Sequence, residues 1–235
     1  IVRKLKNDGI KVADLQHGFI FKDNLVYDVS DDICMDEELR ASTPDFFLSY
    51  GKWWNDQTNL PYAEKIPLGN PYRDEKMLTF EKKDNKNVVL VIGTGVNTDD
   101  HILLASKLKE KISEKFNVVF RPHPTERIYT KNKFAQNRCE VELDCDNDLY
   151  DMLAKTNILI AKSSTVLFEA CGLVDKIIVW NDYPGQMFFE GDFFEHFDSF
   201  DELLQIIQRN SMVAPDFKFW ELNCIKNFMD FYNKI

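Results

Sequence analysis

From about residue 87 the chain alternates short runs rich in β-branched residues with longer stretches of helical period, and few folds accommodate that rhythm. Val88, Val89, Leu90, Val91 and Ile92 form an uninterrupted apolar run, the mark of a strand buried on both faces. A helix follows over 99–115, with Ile102, Leu103, Leu108 and Ile112 on one face and lysines and glutamates on the other. Further strands are expected at 116–121, 141–143, 157–161 and 176–180, and a short helix at 149–154. Ser163 or Ser164 then caps a helix running to Ala170 and stopping at Gly172, because serine accepts orphan amide bonds and glycine tolerates a left-handed exit. Strands alternating with helices build a parallel sheet covered on both faces, so the expected fold class is α/β with a Rossmann-type sheet.

The first 80 residues are less regular. Short strands are expected at 12–15, 46–49 and 65–68, and the acidic stretch 28–38 reads as a solvated surface. Residues 81–86 are charged and lack apolar side chains, which makes them the linker. The expected organisation is a partial Rossmann-like domain over 1–80, a nucleotide-binding Rossmann-like domain over 81–216, and a C-terminal helix over 217–235. Residues 199–208 also read as a helix. In the C-terminal helix, Phe217, Trp220, Cys224, Phe228, Phe231 and Ile235 recur at three-to-four spacing, a stripe expected to pack as core rather than to face a membrane or partner.

Composition narrows the functional classes. A net charge of −10 argues against a general nucleic-acid binder, whose footprint is a basic face. Five scattered cysteines without a CxxC pair suggest neither a disulfide framework nor a four-ligand zinc site, and fit a reducing compartment. The longest apolar runs are strand-length, far short of the roughly 20 residues that span a bilayer. A cytoplasmic location is expected, with peripheral association at the inner membrane face. The chain opens at Ile1 without signal-peptide character, so an upstream portion is expected.

In open parallel sheets, ligands bind beyond the carboxyl ends of the strands, which directs attention to the residues after each one. Gly93-Thr94-Gly95 offers close backbone approach and a hydroxyl, or only a tight turn. Arg121-Pro122-His123-Pro124 presents an imidazole between two prolines. Around it, Lys115, Arg121, Arg127, Lys131, Lys133 and Arg138 stand against the single acid Glu126, a phosphate attractor or a solvated basic edge. Lys162-Ser163-Ser164-Thr165 puts three hydroxyls at a helix start, more than capping requires. Glu169, one turn on, is within reach of a ribose hydroxyl or is an ordinary helix residue. In the first part, Gln16-His17-Gly18 leaves an imidazole at a strand end, where glycine permits a sharp turn; a satisfied core histidine is the alternative. His101 and His196 read as structural or surface residues. Asp144, Asp146 and Asp148 alternate without the glycine and glutamate of a calcium loop, so no metal site is expected.

Taken in order, Gln16-His17-Gly18, Arg121-Pro122-His123-Pro124, and Ser163-Ser164-Thr165 with Glu169 resemble the two-Rossmann (GT-B) transferases. The resemblance is to bacterial CDP-glycerol glycerophosphotransferases of teichoic acid synthesis and related capsule enzymes such as polysialyltransferases and Kdo transferases. It spans roughly residues 12–184 and matches only the latter part of such an enzyme. It implies that His123, Ser163 and Ser164 hold the phosphate of a CMP- or CDP-linked donor, with Thr94, Gly95, Arg121, Thr165 and Glu169 around the nucleotide. His17 would face the donor across the cleft as acid or base, and His123 would share the catalytic work. Ala161-Lys162 stands where the glycerophosphotransferases often carry Ser-Asp, and Gly93-Thr94-Gly95 replaces their proline-containing strand end. Those departures favour a nucleotide sugar over glycerol phosphate.

The implied function is a metal-independent glycosyltransferase without further cofactor, acting on a saccharide or lipid-linked acceptor of a bacterial surface polysaccharide. A polyol-phosphate transferase, a nucleotide-sugar epimerase and a non-catalytic nucleotide-binding domain remain as alternatives.

Overall fold

The computed structural model describes residues 1–21, 24, 26–30, 36–84, 86–137, 139–181, 193–209 and 219–235. Cys34, Arg138 and Phe217, the end of the family resemblance, and parts of the acidic stretch and linker lie outside the described residues. Contacts divide the chain into two compact units, one of 1–79 with 217–235 and one of 80–216.

The first unit is built on a parallel sheet of β1 (Ala13–Leu15), β2 (Phe46–Ser49) and β3 (Glu64–Pro67), in that order. Helices α1 (Val2–Asn7), α2 (Glu37–Ser42), α3 (Lys52–Asp56) and α4 (Pro71–Thr79) accompany it. Asp36 explains α2, since its carboxylate accepts from the amides of Glu38 and Leu39. The acidic stretch is thus partly a capped helix.

In the second unit six parallel strands stand in the order β6-β5-β4-β7-β8-β9. They are β4 (Val88–Ile92), β5 (Asn117–Arg121), β6 (Glu142–Leu143), β7 (Thr156–Ala161), β8 (Lys176–Trp180) and β9 (Glu195–Phe197). The helices are α5 (Thr98–Ile112), α6 (Arg127–Asn137), α7 (Leu149–Leu153), α8 (Val166–Glu169) and α9 (Phe200–Gln208). Every residue of β4 is buried, as expected for a strand covered on both faces. Leu104, Leu108 and Ile112 of α5 and Leu203, Ile206 and Ile207 of α9 share one core cluster with Val91, Phe120, Ile160 and Ile178 of the strands. The α/β class and parallel sheet match the sequence reading.

The C-terminal segment belongs with the first unit, where α10 (Cys224–Tyr232) is the only helical part described after residue 218. A helix beginning near 217 is therefore too long, because 219–223 are spent on backbone bonding. Trp54 Nε1 donates to the Phe219 carbonyl at 2.8 Å, the Glu221 amide to Tyr50 O at 2.7 Å, and the Cys224 amide to Asp74 Oδ2 at 2.6 Å. Gly51 and Gly69 make room: a methyl on Gly69 would sit 2.5 Å from the Glu221 carbonyl oxygen. Only part of the expected stripe is core. Cys224 and Phe231 pack with Leu48 and Leu68, whereas Phe228 is 42% and Ile235 56% exposed.

Candidate active site

Strand order fixes where a ligand can enter the second unit. From β4 the chain steps outward to β5 and β6, then returns to lay β7 against the other side of β4 and continues to β8 and β9. The order reverses between β4 and β7, and in open parallel sheets such a reversal is where a crevice forms beyond the carboxyl ends of the strands. Ile92 pairs with Arg121 and Val91 with Ile160, so Gly93, Pro122 and Lys162 stand at one level across three strands. His123 and Ser163 therefore follow the two strands that flank β4, and those strands stand two spacings, roughly 10 Å, apart.

The loop after β4 turns through two left-handed residues, Gly95 (φ 87°) and Asn97 (φ 54°), conformations that glycine and asparagine tolerate. It lies against His123. A methyl on Gly95 would meet His123 Nδ1 at 3.4 Å, and one on Gly93 would meet the His123 amide nitrogen at 3.2 Å. His123 is exposed and opens the 3-10 turn Pro124–Glu126. Its Nδ1 lies 2.8 Å from Thr125 Oγ1 and accepts the Thr125 amide at 3.4 Å. An Nδ1 used as acceptor puts the proton of the neutral ring on Nε2, which becomes the donor available to a ligand oxygen.

Glu126 has a role that its isolation in a basic stretch did not reveal. Its carboxylate accepts the Gly95 amide at 3.2 Å and the Thr98 hydroxyl, and so ties the loop after β4 to the turn after β5. The Gly95 amide is thereby used within the fold, and what the glycine contributes is its lack of a side chain beside His123. Thr94 Oγ1 donates to the Val96 carbonyl at 3.3 Å.

Arg121 also departs from its expected role as a phosphate contact. Its guanidinium is paired with buried Asp144 and donates to the Asn147 carbonyl at 3.0 Å, away from the crevice and toward the end of β6. Two more members of the basic island are paired in the same way. Lys131 meets Asp146 at 3.3 Å and Lys133 meets Asp99 at 3.1 Å. Tyr129 and then Asp99 raise the Lys133 pKa by hydrogen bonding, and Lys133 in turn lowers that of Asp99. The alternating aspartates thus have separate tasks, with Asp148 capping α7 through the Tyr150 amide at 2.8 Å.

At the end of β7, Ser163, Ser164 and Thr165 are half-buried. The helix that follows is a single turn, so it lacks the aligned dipoles that a phosphate-binding helix end requires; the segment's resource is its hydroxyls. Ser164 Oγ accepts the Val166 amide at 3.3 Å, Thr165 makes no capping bond through its side chain, and Gly172 takes the expected left-handed φ of 76°. Glu169 accepts the Tyr150 hydroxyl at 2.7 Å.

Two residues set aside or passed over in the sequence lie beside this loop. Lys162 is 7% exposed, with Nζ 4.1 Å from the centroid of Trp180. His101 packs edge-on against the same indole at 5.7 Å and is 1% exposed. Its Nδ1 donates to the Asn97 carbonyl at 2.9 Å, and among the described residues buried Nε2 has no hydrogen-bond partner. Burial, and secondarily the charge of Lys162, hold the His101 pKa below its ordinary value. The sequence leaves His101 as a structural or surface residue; the fold buries it on the face of α5 with Leu104, Leu108 and Ile112, whereas Leu103, expected on that face, is 54% exposed.

His17 lies in the first unit, exposed at the end of β1. The turn there is closed by Gln16 rather than by any special conformation of Gly18. Gln16 is 1% exposed, donates to the Gly18 carbonyl at 2.7 Å and accepts the Tyr50 amide at 2.8 Å. Gly18 does not adopt a left-handed φ and has open space around it. No helix among the described residues is long and apolar enough to cross a membrane.

No family model matches the chain, and no curated protein is similar to it. Solved structures do match. The pneumococcal O-GlcNAc transferase GtfA in complex with UDP and GlcNAc is similar over 99% of this chain and 53% of its own, at 13% identity and a TM-score of 0.56. The wall teichoic acid polymerase TagF is similar over 96% of this chain and 64% of its own, at 13% identity and a TM-score of 0.51. A GtfA/B complex matches over 88% and 48%, at 15% identity and a TM-score of 0.52. The chain thus spans about half to two thirds of the solved chains it matches. The likeness shows the fold, parallel α/β sheets arranged as in these proteins.

Proposed function

We propose that the crevice between β4 and β7 binds the phosphates of a nucleotide-activated sugar and that the protein acts as a glycosyltransferase. The supporting observation is the placement of His123, the Gly93–Gly95 backbone and the Ser163–Thr165 hydroxyls at the ends of three adjacent parallel strands, where the strand order reverses. In this reading His123 Nε2–H and the hydroxyls donate to the phosphates and stabilise the charge that develops as the nucleotide leaves. Lys162 brings positive charge close to that point. The acceptor hydroxyl attacks the anomeric carbon, the glycosyl–phosphate bond breaks, and the hydroxyl proton passes to a base, a role the family resemblance gives to His17. Hydrogen-bond donors and lysine charge supply the stabilisation without a metal.

The finer assignment, to a cytidine nucleotide donor and a saccharide or lipid-linked acceptor of a bacterial surface polysaccharide, made in the cytoplasm near the inner membrane face, follows the sequence resemblance. A CDP-glycerol donor is the second reading, supported by the likeness to TagF. Calorimetric titration with UMP, UDP, CMP and CDP tests the proposal: saturable binding supports it, and a folded sample giving no heat with any of them favours a non-catalytic domain. Incubation with a nucleotide sugar alone separates the epimerase alternative, which would isomerise the compound without an acceptor.

A further inference from the structure

On one face of its sheet the first unit holds a cavity of about 190 Å³. Asp14 of β1, Phe47 of β2 and Lys65 of β3 stand in one row across the strands and so share a face. Asp14 and Phe47 line the cavity together with Tyr27 from the loop after β1, Leu39 from α2, and Leu60 and Tyr62 from the segment before β3. Tyr27 is 7% exposed, and its ring packs on that of Phe47 at a centroid distance of 5.3 Å. The row crosses the strands themselves, whereas His17 stands beyond the carboxyl end of β1.

The polar groups of this cavity have no counterpart inside the fold. Lys65 Nζ donates to the Asn55 and Thr58 carbonyls at 3.0 and 2.6 Å, and exposed Arg40 lies over the ring of Tyr62 at 5.3 Å. Among the described residues, neither the half-buried Asp14 carboxylate nor the Tyr27 hydroxyl has a hydrogen-bond or ion-pair partner. Burial, and then the charge of Asp14, raise the Tyr27 pKa, so the phenol stays neutral beside the carboxylate. A carboxylate walled by aromatic and aliphatic side chains is stabilised by an opposite charge that carries apolar surface with it.

We infer that this cavity binds a small organic cation, a primary alkylammonium group whose N–H bonds go to Asp14 and the Tyr27 oxygen while its hydrocarbon lies against Phe47, Leu39 and Leu60. Size limits the ligand: the volume falls below the roughly 300 to 1,000 Å³ of pockets that enclose drug-sized molecules. A monosaccharide suits the lining less well, because its ring of hydroxyls needs more polar partners than one carboxylate and one phenol supply. A metal ion needs more than a single carboxylate, and among the described residues no group of three or more His, Cys, Asp or Glu could hold one. The site lies in the first unit and is independent of the nucleotide crevice proposed in the second.

The test is a nuclear magnetic resonance titration of the full chain with butylammonium, with its neutral counterpart butan-1-ol, and with glucose. Butylammonium should give saturable shifts at the signals of Tyr27, Phe47 and Leu39 and bind roughly 10-fold or more tightly than butan-1-ol, the effect of a hydrogen bond to a charged group. Asp14→Asn should bring the two to within about threefold of each other, and Tyr27→Phe should weaken butylammonium by about threefold or more. No saturable shift with butylammonium, or equal affinity for the alcohol, overturns the inference in the wild type alone, whatever the variants do. Undiminished preference for the ammonium ion in a folded Asp14→Asn sample also overturns it, and glucose binding more tightly at the same signals would replace the cation with a saccharide.

Discussion

A methyl group on Gly95 would sit 3.4 Å from Nδ1 of His123, so the loop after β4 and the imidazole after β5 lie side by side. Gly95→Ala is therefore expected to do two separable things. Its φ of 87° makes any L side chain strained, costing about 1 kcal/mol of stability. The strained loop, which lies in van der Waals contact with His123, should also shift against the imidazole and weaken nucleotide binding. Thermal unfolding beside calorimetry on the same sample checks the split; unchanged affinity would show that the loop does not set the imidazole.

Arg121 should prove structural. Asp144 is only 1% exposed at its side chain, and removing the guanidinium leaves a buried carboxylate without its ion pair. Arg121→Ala is expected to cost about 3 kcal/mol in denaturant unfolding while nucleotide affinity of the folded protein stays near wild type. Retained stability with lost affinity would restore Arg121 to the binding site.

Much of this was legible in the sequence, for a physical reason. Strands β4, β5, β7 and β8 lie within a covered sheet, so their apolar runs are long and unbroken. β9 has only Glu195, His196 and Phe197, and its sequence carries no such signal. Positions after strands are also readable, which is how the sequence points to His123 and Ser163–Thr165. Partners were not. Asp144 lies 23 residues from Arg121, and Tyr150 lies 19 from Glu169, separations that no local pattern encodes. Gln16 carries no signal of its own beside His17, since a buried glutamine closing a turn looks like any polar residue in one dimension.

Gly69→Ala probes the return of the C-terminal segment. Gly69 has φ 104°, and an added methyl would sit 2.5 Å from the Glu221 carbonyl, backbone that cannot rotate away. A loss of at least about 2 kcal/mol is expected in chemical unfolding. A neutral effect would mean that residues 219–223 do not pack on Gly69 in solution.

His101 makes stability depend on pH. Its folded pKa is lowered, chiefly by burial, so below the ordinary value of 6.5 the unfolded chain takes up a proton that the native state resists. Unfolding is then favoured as pH falls through that value, with a slope of at most about 1.4 kcal/mol per pH unit for one proton. His101→Phe should flatten this limb of the stability profile. An identical slope in the variant would place the titration elsewhere, with His196, also lowered by burial, next to be tried.

His17→Ala separates catalysis from binding. Turnover of a nucleotide sugar should fall while nucleotide affinity remains nearly unchanged. Parallel loss of both would reassign His17 to the binding site.

The most direct measurement is calorimetric affinity for UDP and CDP in the wild type, His123→Ala and Ser164→Ala. Both side chains lie at the crevice edge, and neither is a fully buried core group. The account predicts that each variant folds and binds the preferred nucleotide roughly 10- to 100-fold more weakly, the loss of a hydrogen bond to a charged group. Wild-type affinity in both would contradict it.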